Sequence, residues 1–225
     1  FNRRFGLFWV LSYAGSLLPH FYFRTGIIDP VFNLFIFLGI CFLAGGVVKH
    51  CHAKTKYFAF AGLCTGLAIL TKGPVALLLV GSCGLIFFAF QKFRDFPAIK
   101  HIAIGLGMAL LPFLLWQLPA LLQGDTTFLE NFITYHLRLA GTEDAGHSGF
   151  PGYHLLVILV GCFPASFFAI TSLKKRPGLE SSQADFKKWM VILLCVVLVI
   201  FYIVQTKIVH YSSLAYFPVT FLAAF

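Results

Sequence analysis

Two uncharged apolar runs, separated by one short break, limit most strongly what this chain can fold into. Residues 57–70 and 75–90 contain no charged side chain, and the stretch that joins them, residues 70–74, has the sequence LTKGP. Each run is shorter than the ~20 residues that usually cross a bilayer, and together they are too long for one crossing. Because glycine is typical of the end of one helix and proline of the start of the next, we predict a tight helical hairpin with Lys72 at its tip.

Apolar runs of this kind recur along the whole chain. The 225 residues are 59% hydrophobic and 11% charged, with a mean hydropathy of +0.88, which is typical of a polytopic membrane protein. We predict an all-α fold in one transmembrane domain, residues 1–225, with about eight spans at residues 5–23, 31–48, 57–70, 75–90, 101–122, 153–173, 189–204 and 211–225. Because the sequence opens without Met and both ends lie inside apolar runs, we expect an internal fragment of a longer protein.

The basic residues divide unevenly between the two faces that these spans define. One face holds only Arg24, Lys72, Arg138 and Lys207. The rest of the seventeen basic residues lie in an N-terminal arm and three loops on the opposite face, at residues 3–4, 49–56, 92–100 and 174–188. Basic loops are typically cytoplasmic, so the four isolated residues are predicted to be extracytoplasmic. This distribution accounts for the net charge of +9, and we expect no nucleic-acid partner.

Each predicted outer connector carries an isolated ionisable residue: Asp29, Lys72, Arg138 or Lys207. Charges close to helix ends in a membrane are costly unless they are paired or hydrated. A single Lys or Arg there is equally typical of interfacial anchoring. Four in successive connectors on one face indicate a functional site.

The longest outer connector, residues 123–152, combines polar residues with an apolar stripe. Phe128, Phe132, Tyr135 and Leu139 follow one another at helical spacing. This spacing predicts an amphipathic helix that lies along the outer membrane interface and covers the site.

Four stretches resemble, in the same order, the motifs of one known family. Residues 66–74 (GLAILTKGP) are similar to the signature of the bacterial GT-C membrane glycosyltransferases, which include lipid A aminoarabinose transferases and dolichyl-phosphate-mannose–protein mannosyltransferase-like proteins. Residues 24–30 (RTGIIDP) resemble the second outer acidic motif of that family. Residues 131–138 (NFITYHLR) resemble its segment ending in arginine, and residues 205–211 (QTKIVHY) its lysine-tyrosine stretch before the last spans.

The resemblance implies transfer of a sugar, with inversion, from a polyprenyl-phosphate carrier to a lipid, glycan or protein acceptor. The reaction would take place on the extracytoplasmic face of a bacterial inner membrane, amid membrane lipids. Family members place a catalytic Asp in an outer loop upstream of this chain, and many carry a soluble C-terminal domain. We therefore expect the chain to be inactive alone.

Carried onto this sequence, the resemblance gives three cationic ligands of the carrier phosphate: Lys72, Arg138 and Lys207. Cations beside the departing phosphate stabilise the transition state more than the ground state. Arg138 can hold phosphate through two parallel bonds, while Lys72 acts as a point charge. Additional candidates are His136, His147 and Tyr211.

Asp29 is the candidate catalytic residue within the chain. It is expected to orient the acceptor, hold a cation or pair with Arg138, but an Asp before Pro30 is comparably typical of capping at a helix start. A divalent metal is left open as a cofactor. The outer histidines at positions 136, 147, 154 and 210 show no zinc-type spacing.

A second function class is a secondary transporter or flippase of a lipid-linked or anionic substrate. Transporters also contain isolated charges and broken helices, but these lie near the bilayer midplane. In this sequence the charges cluster at one predicted face, which favours the transferase. A non-catalytic scaffold would need no such one-sided set.

Overall fold

The computed structural model describes residues 1–48, 51–141, 150, 152–172, 178–204 and 207–225, without the side chains of residues 136, 137 and 139–141. Every regular element among these residues is helical, as predicted. The helices are α1 (Arg3–Ala14), α2 (Leu17–Tyr22), α3 (Asp29–Gly46), α4 (Lys54–Lys72), α5 (Val75–Phe90), α6 (Ile99–Leu122), α7 (Thr127–Gly141), α8 (Tyr153–Gly161), α9 (Ala165–Ser172), α10 (Ser181–Ile203), a 3-10 helix (Val209–Ala215) and α11 (Tyr216–Ala224).

Three described helices are long and apolar enough to cross a membrane: α3, α6 and α10. The pair α8 and α9 meets the same test as one broken span, bent by 108°. Four of the predicted eight spans do not meet the test: the first, which is divided into α1 and α2, the third, α4, the fourth, α5 with 16 residues, and the eighth, where α11 has nine residues. The structure thus supports a membrane protein with three or four candidate spans.

The predicted hairpin around Lys72 is confirmed. Helix α4 ends at Lys72 and α5 begins at Val75, with only two residues between them. Gly73 has a backbone φ of 114°, which residues other than glycine rarely adopt. Its N–H donates to the carbonyl of Ile69 at 2.8 Å. Pro74, with φ −69°, then leads into α5.

The chain divides into two compact units, residues 31–147 and residues 1–30 with 148–225. In the unit of residues 31–147, α4 and α6 pack closely through small residues. A Cβ built on Gly62 would lie 2.0 Å from the carbonyl oxygen of Gly105, and one on Gly66 would lie 2.4 Å from that of Ala109. The later residue of α4, Gly66, contacts the later residue of α6, Ala109, so the two helices run parallel. Such small-residue contacts are typical of membrane helix packing.

Helix α7, in the same unit, confirms that the long outer connector contains a helix. Its Phe128 ring packs edge-on against Trp116 with centroids 4.6 Å apart, and Phe132 lies 5.2 Å from Phe113. The later residue of α7, Phe132, contacts the earlier residue of α6, Phe113, so α7 runs back along the end of α6. The fourth predicted apolar residue, Leu139, lies outside the described side chains. The placement of α7 at the membrane interface stays a prediction.

The start of α7 is capped by Asp125. The Thr127 N–H donates to Asp125 Oδ1 at 2.9 Å, and hydrogen bonds from Thr127 lower the pKa of this exposed carboxyl. The neighbouring Thr126 hydroxyl donates to Glu130 at 2.7 Å. The first contact satisfies a backbone N–H that has no partner within the helix, and the second joins two side chains at the helix start.

In the unit formed by residues 1–30 and 148–225, two helix breaks meet. The Ser16 hydroxyl, between α1 and α2, donates to the carbonyl of Cys162 at 3.2 Å, and the Leu17 N–H donates to the carbonyl of Phe163 at 3.3 Å. Those carbonyls belong to the break between α8 and α9. Each break therefore satisfies backbone groups of the other, which a membrane interior requires.

Candidate functional site

The predicted site residues are shared between the two units. Asp29, Lys207 and Tyr211 belong to the unit of residues 1–30 and 148–225. Lys72, His136 and Arg138 belong to the unit of residues 31–147. His147 and the side chain of His136 lie outside the described part of the structure, so their roles stay predictions.

Lys72 is the last residue of α4 and is half-buried. Its ammonium lies 5.8 Å from the ring centroid of Phe32, a buried residue in the first turn of α3. A cation over an aromatic face is attracted by the ring, and the attraction grows where water is excluded. The structure thus places a partly desolvated positive charge where the end of α4 meets the start of α3.

Arg138 lies in the last turn of α7 and is exposed. Its guanidinium carbon lies 5.8 Å from the ring centroid of Tyr135, one turn earlier on the same helix. A guanidinium that lies over a ring keeps its N–H groups in its own plane, where they can point to a phosphate. This geometry suits the predicted two-pronged contact.

Lys207 is placed differently from the other two cations. Its ammonium donates to the carbonyls of Phe201, Tyr202 and Val204, at 2.9, 2.9 and 2.5 Å. These carbonyls belong to the C-terminal end of α10, which lacks helical partners for them. An ammonium has three N–H donors, and all three are used here. The geometry favours helix capping by Lys207, and its binding of the carrier stays a prediction.

His154 is the residue that the sequence undervalued. It lies in the first turn of α8 with 3% of its surface exposed, and neither ring nitrogen has a hydrogen-bond partner among the described residues. Together with Lys207 it lines a cavity of about 320 Å³. The sequence offered it only as one of four histidines for a metal. A histidine inside an otherwise apolar helix start was the available signal.

Tyr211 lies near this cavity. The Phe201 ring packs against Tyr211 with centroids 5.6 Å apart and against His154 at 5.7 Å. Phe201 also supplies one of the carbonyls that hold Lys207. The structure therefore gathers Tyr211, His154 and Lys207 around one residue, Phe201, near the end of α10.

Asp29 is buried, with 5% of its surface exposed, and is the first residue of α3. A carboxylate in that position is stabilised by the helix dipole. Tyr22 interacts electrostatically with Asp29, and its ring lies 5.7 Å from that of Tyr216. The position at the helix start agrees with the capping interpretation, and the catalytic role stays a prediction.

A metal ion has no evident ligand set in the part of the chain that is described. No group of three or more His, Cys, Asp or Glu side chains lies there in a suitable arrangement. The metal requirement is therefore left open, as it was from the sequence.

These observations define the chain as an all-α membrane protein with partly desolvated or helix-bound cations at the ends of its helices. No family model matches the sequence. It is 25% identical, over 69% of its length, to an undecaprenyl phosphate-alpha-4-amino-4-deoxy-L-arabinose arabinosyl transferase of Edwardsiella ictaluri. It is 23% identical, over 72% of its length, to the protein of the same description from Photorhabdus laumondii.

The fold agrees with that relationship. The crystal structure of ArnT from Cupriavidus metallidurans bound to undecaprenyl phosphate superposes on 98% of this chain with a TM-score of 0.73 and 17% identity. The apo structure of the same protein gives 0.70 over 100% of the chain, with 16% identity. The chain is thus distantly related, in sequence and in fold, to the ArnT-like GT-C glycosyltransferases. It spans 28% and 30% of the two sequence relatives and 40% of the solved chains.

Proposed function

We propose that this chain is the donor-binding part of an enzyme that transfers a sugar from polyprenyl phosphate to an acceptor on the extracytoplasmic face of a bacterial plasma membrane. The observation that carries the proposal is the similarity, over 69% of the chain, to a transferase whose described donor is an undecaprenyl-phosphate sugar. The sugar in the description of that relative is 4-amino-4-deoxy-L-arabinose and not mannose. The protein mannosylation that the motifs left open gains no support from it.

We further propose the eight-span topology, with the basic loops in the cytoplasm and Asp29, Lys72, Arg138 and Lys207 outside. The helices α4 and α5 support the hairpin of spans three and four, and the pair α8 and α9 is either a broken sixth span or a re-entrant loop. In this arrangement Lys72 lies at the outer end of α4. That position suits a phosphate at the membrane surface.

In the proposed reaction the carrier phosphate leaves with negative charge. Lys72, held beside Phe32, supplies a fixed positive charge, and Arg138 supplies two parallel N–H bonds. Interactions that strengthen as charge develops lower the barrier. Asp29 is proposed to orient the acceptor, while the general base is expected upstream. Because its N–H groups are used by α10, Lys207 is proposed to act at a distance, through its charge.

The experiment compares variants of the full-length protein, purified and supplied with a polyprenyl-phosphate sugar. A lost charge-assisted hydrogen bond is worth roughly 1.5–3 kcal/mol, or about tenfold to a hundredfold in rate. We expect that loss in Lys72→Ala and Arg138→Ala. Arg138→Lys should stay impaired because an ammonium cannot form the planar contact. Arg94→Ala, which removes an exposed arginine from a predicted cytoplasmic loop, is the matched control.

Two outcomes would count against the proposal. Wild-type turnover in both Lys72→Ala and Arg138→Ala would remove the phosphate site. Translocation of a labelled lipid-linked sugar across vesicles without its consumption by any acceptor would favour the transporter or flippase instead. Size exclusion in detergent separates loss of activity from loss of folding in each variant.

A further inference from the structure

An apolar groove lies between α4, α5 and α6, within the unit of residues 31–147. Its volume is about 310 Å³, and Thr65 is the one polar side chain among the described residues that line it. The Thr65 hydroxyl donates to the carbonyl of Ala61 at 2.8 Å, so it is satisfied within its own helix. Leu85 of α5 and Leu106 of α6 line the groove and are 61% and 48% exposed. The groove is therefore apolar and opens between α5 and α6.

The groove exists because glycines of α5 line it where larger side chains would fill it. A Cβ built on Gly81 would meet no described atom within 4 Å, and one on Gly84 would lie 3.4 Å from Leu43. One turn of an α-helix, about 10 Å across and about 5.4 Å long, occupies about 400 Å³. Because this exceeds the volume of the whole groove, the space suits an extended hydrocarbon chain and is too small for a helix.

One end of the groove lies beside three lysines. Phe58 of α4 lines that end, and its ring lies 5.6 Å from the ring of His101 on α6. Since α4 and α6 run parallel, their first turns lie side by side. Those turns contain Lys54, Lys56 and Lys100, which we call the lysine cluster, and no acidic residue.

The segment that joins α5 to α6 does not neutralise the lysine cluster. Residues 91–98 contain one acidic residue, Asp95, against two basic ones. In the same segment Phe96 lines the groove, packs against Phe88 with ring centroids 4.9 Å apart, and is 47% exposed. Exposed aromatic side chains beside basic ones are typical of a membrane surface. An occupant of the groove must therefore combine an apolar chain with a negatively charged group.

We propose that this site binds an anionic phospholipid of the surrounding membrane, whose phosphate lies at the lysine cluster and one of whose acyl chains lies against Leu85 and Leu106. The site is distant from the proposed carrier site in the same unit. Lys54 and Lys72 are the first and last residues of α4, which places them about 27 Å apart at about 1.5 Å per residue. The bound phospholipid is thus a second lipid, and its binding does not depend on the proposed transferase activity.

The test is photo-crosslinking of the full-length protein in nanodiscs that contain phosphatidylglycerol or phosphatidylcholine with the same photoreactive acyl chain. Mass spectrometry then maps the labelled peptides. We expect phosphatidylglycerol to label α5 and α6 around Leu85 and Leu106 more than phosphatidylcholine does. A lysine beside an anionic headgroup contributes about fivefold to binding. Lys100→Gln should therefore lower this labelling about fivefold, and replacement of the whole lysine cluster by Gln should reduce it to the level of phosphatidylcholine.

Each part of the site has a matched control. Lys188→Gln removes an exposed lysine of the other unit, which lies 3.0 Å from Asp185, and should leave the labelling unchanged. Gly81→Leu fills the groove from a position with open space, so it should abolish labelling there. Gly107→Leu also adds a side chain in open space, but Gly107 does not line the groove, and its labelling should equal that of the wild type.

Several results would overturn the assignment. Equal labelling by phosphatidylglycerol and phosphatidylcholine, or equal labelling with and without the lysine cluster, would remove recognition of the headgroup. Unchanged labelling in Gly81→Leu would place the chain elsewhere. Loss of the preference in excess inorganic phosphate would assign the lysine cluster to free phosphate, and displacement of the lipid by undecaprenyl phosphate would assign the groove to the carrier. Should size exclusion show that Gly81→Leu fails to fold, the wild-type label must still map to Leu85 and Leu106, and its absence there refutes the site.

Discussion

The contact of α4 with α6 allows a test in which one added methyl group should have opposite effects at different glycines. In Gly62→Ala the new Cβ would lie 2.0 Å from the carbonyl oxygen of Gly105, whereas ordinary contacts begin at 3.4 Å. The obstacle is backbone and cannot rotate away. The helices must therefore separate locally by about 1.4 Å, the difference between those two distances.

The expected cost follows from that separation. Overpacking usually costs about 1–3 kcal/mol, and a gap of ~0.5–1 Å already forfeits a quarter to a half of the dispersion energy of each contact. Helices in a membrane are held together mainly by such packing. We therefore expect Gly62→Ala to lower the free energy of unfolding by about 3 kcal/mol, at the upper end of the range.

Two glycines of the facing helix, α6, provide controls. A Cβ on Gly107 would meet no described atom within 4 Å, and one on Gly105 would lie 3.4 Å from the carbonyl oxygen of Phe58. Alanine is favoured over glycine within a helix by about 0.5–1 kcal/mol. Gly107→Ala should therefore be neutral or stabilising, and Gly105→Ala tolerated although it faces Gly62.

The measurement is reversible unfolding of the full-length protein in mixed micelles with increasing sodium dodecyl sulfate, followed by tryptophan fluorescence and far-ultraviolet circular dichroism. The three variants and the wild type are compared under one condition. If Gly62→Ala unfolds at the same denaturant fraction as Gly107→Ala, the close approach of α4 and α6 is wrong.

Three further predictions follow from single contacts. Cysteines at Thr55 and Thr142 should be labelled from opposite sides of the membrane, and labelling from one side would contradict the eight-span topology. Asp125→Ala should speed hydrogen exchange at the Thr127 amide, which donates to this carboxylate. The pKa of Asp125 is lower in the folded protein than in the unfolded chain, so the wild-type protection should be complete above the ordinary pKa of an aspartate. It should be lost as the pH falls through the lowered pKa of the folded protein. Lys207→Met should lower the free energy of unfolding by up to about 2 kcal/mol, the contribution of a partly buried cation at a helix end, and an unchanged unfolding midpoint would exclude the capping role.

The sequence was sufficient where structure depends on local chemistry. The turn after Lys72 followed from Gly73 and Pro74, since one residue tolerates positive φ and the other begins a helix without its N–H. The helix α7 followed from the spacing of its aromatic residues. Both depend on neighbours within a few positions, so no tertiary information was needed.

The chemistry of the cations could not be predicted in the same way. Lys72 and Lys207 are the same residue type in equivalent connectors, yet one lies over Phe32 and the other donates to three carbonyls of α10. Which partner a long flexible side chain reaches depends on where the preceding helix ends. The burial of His154 likewise depends on Phe201, which is 47 positions away in the sequence.

The path of the sixth predicted span shows the same limit. Hydropathy indicates that residues 153–173 are apolar throughout, but it carries no information on the 108° bend. In lipid the backbone groups freed at a break need internal partners. The Ser166 hydroxyl donates to the Leu159 carbonyl at 2.6 Å, and the Ser166 N–H donates to the Cys162 carbonyl at 2.9 Å. The Phe163 carbonyl accepts from the Leu17 N–H at 3.3 Å. Because the donor for the Phe163 carbonyl comes from another predicted span, that group is satisfied only once the two segments have met, and a sequence window that contains one of them cannot reveal the contact.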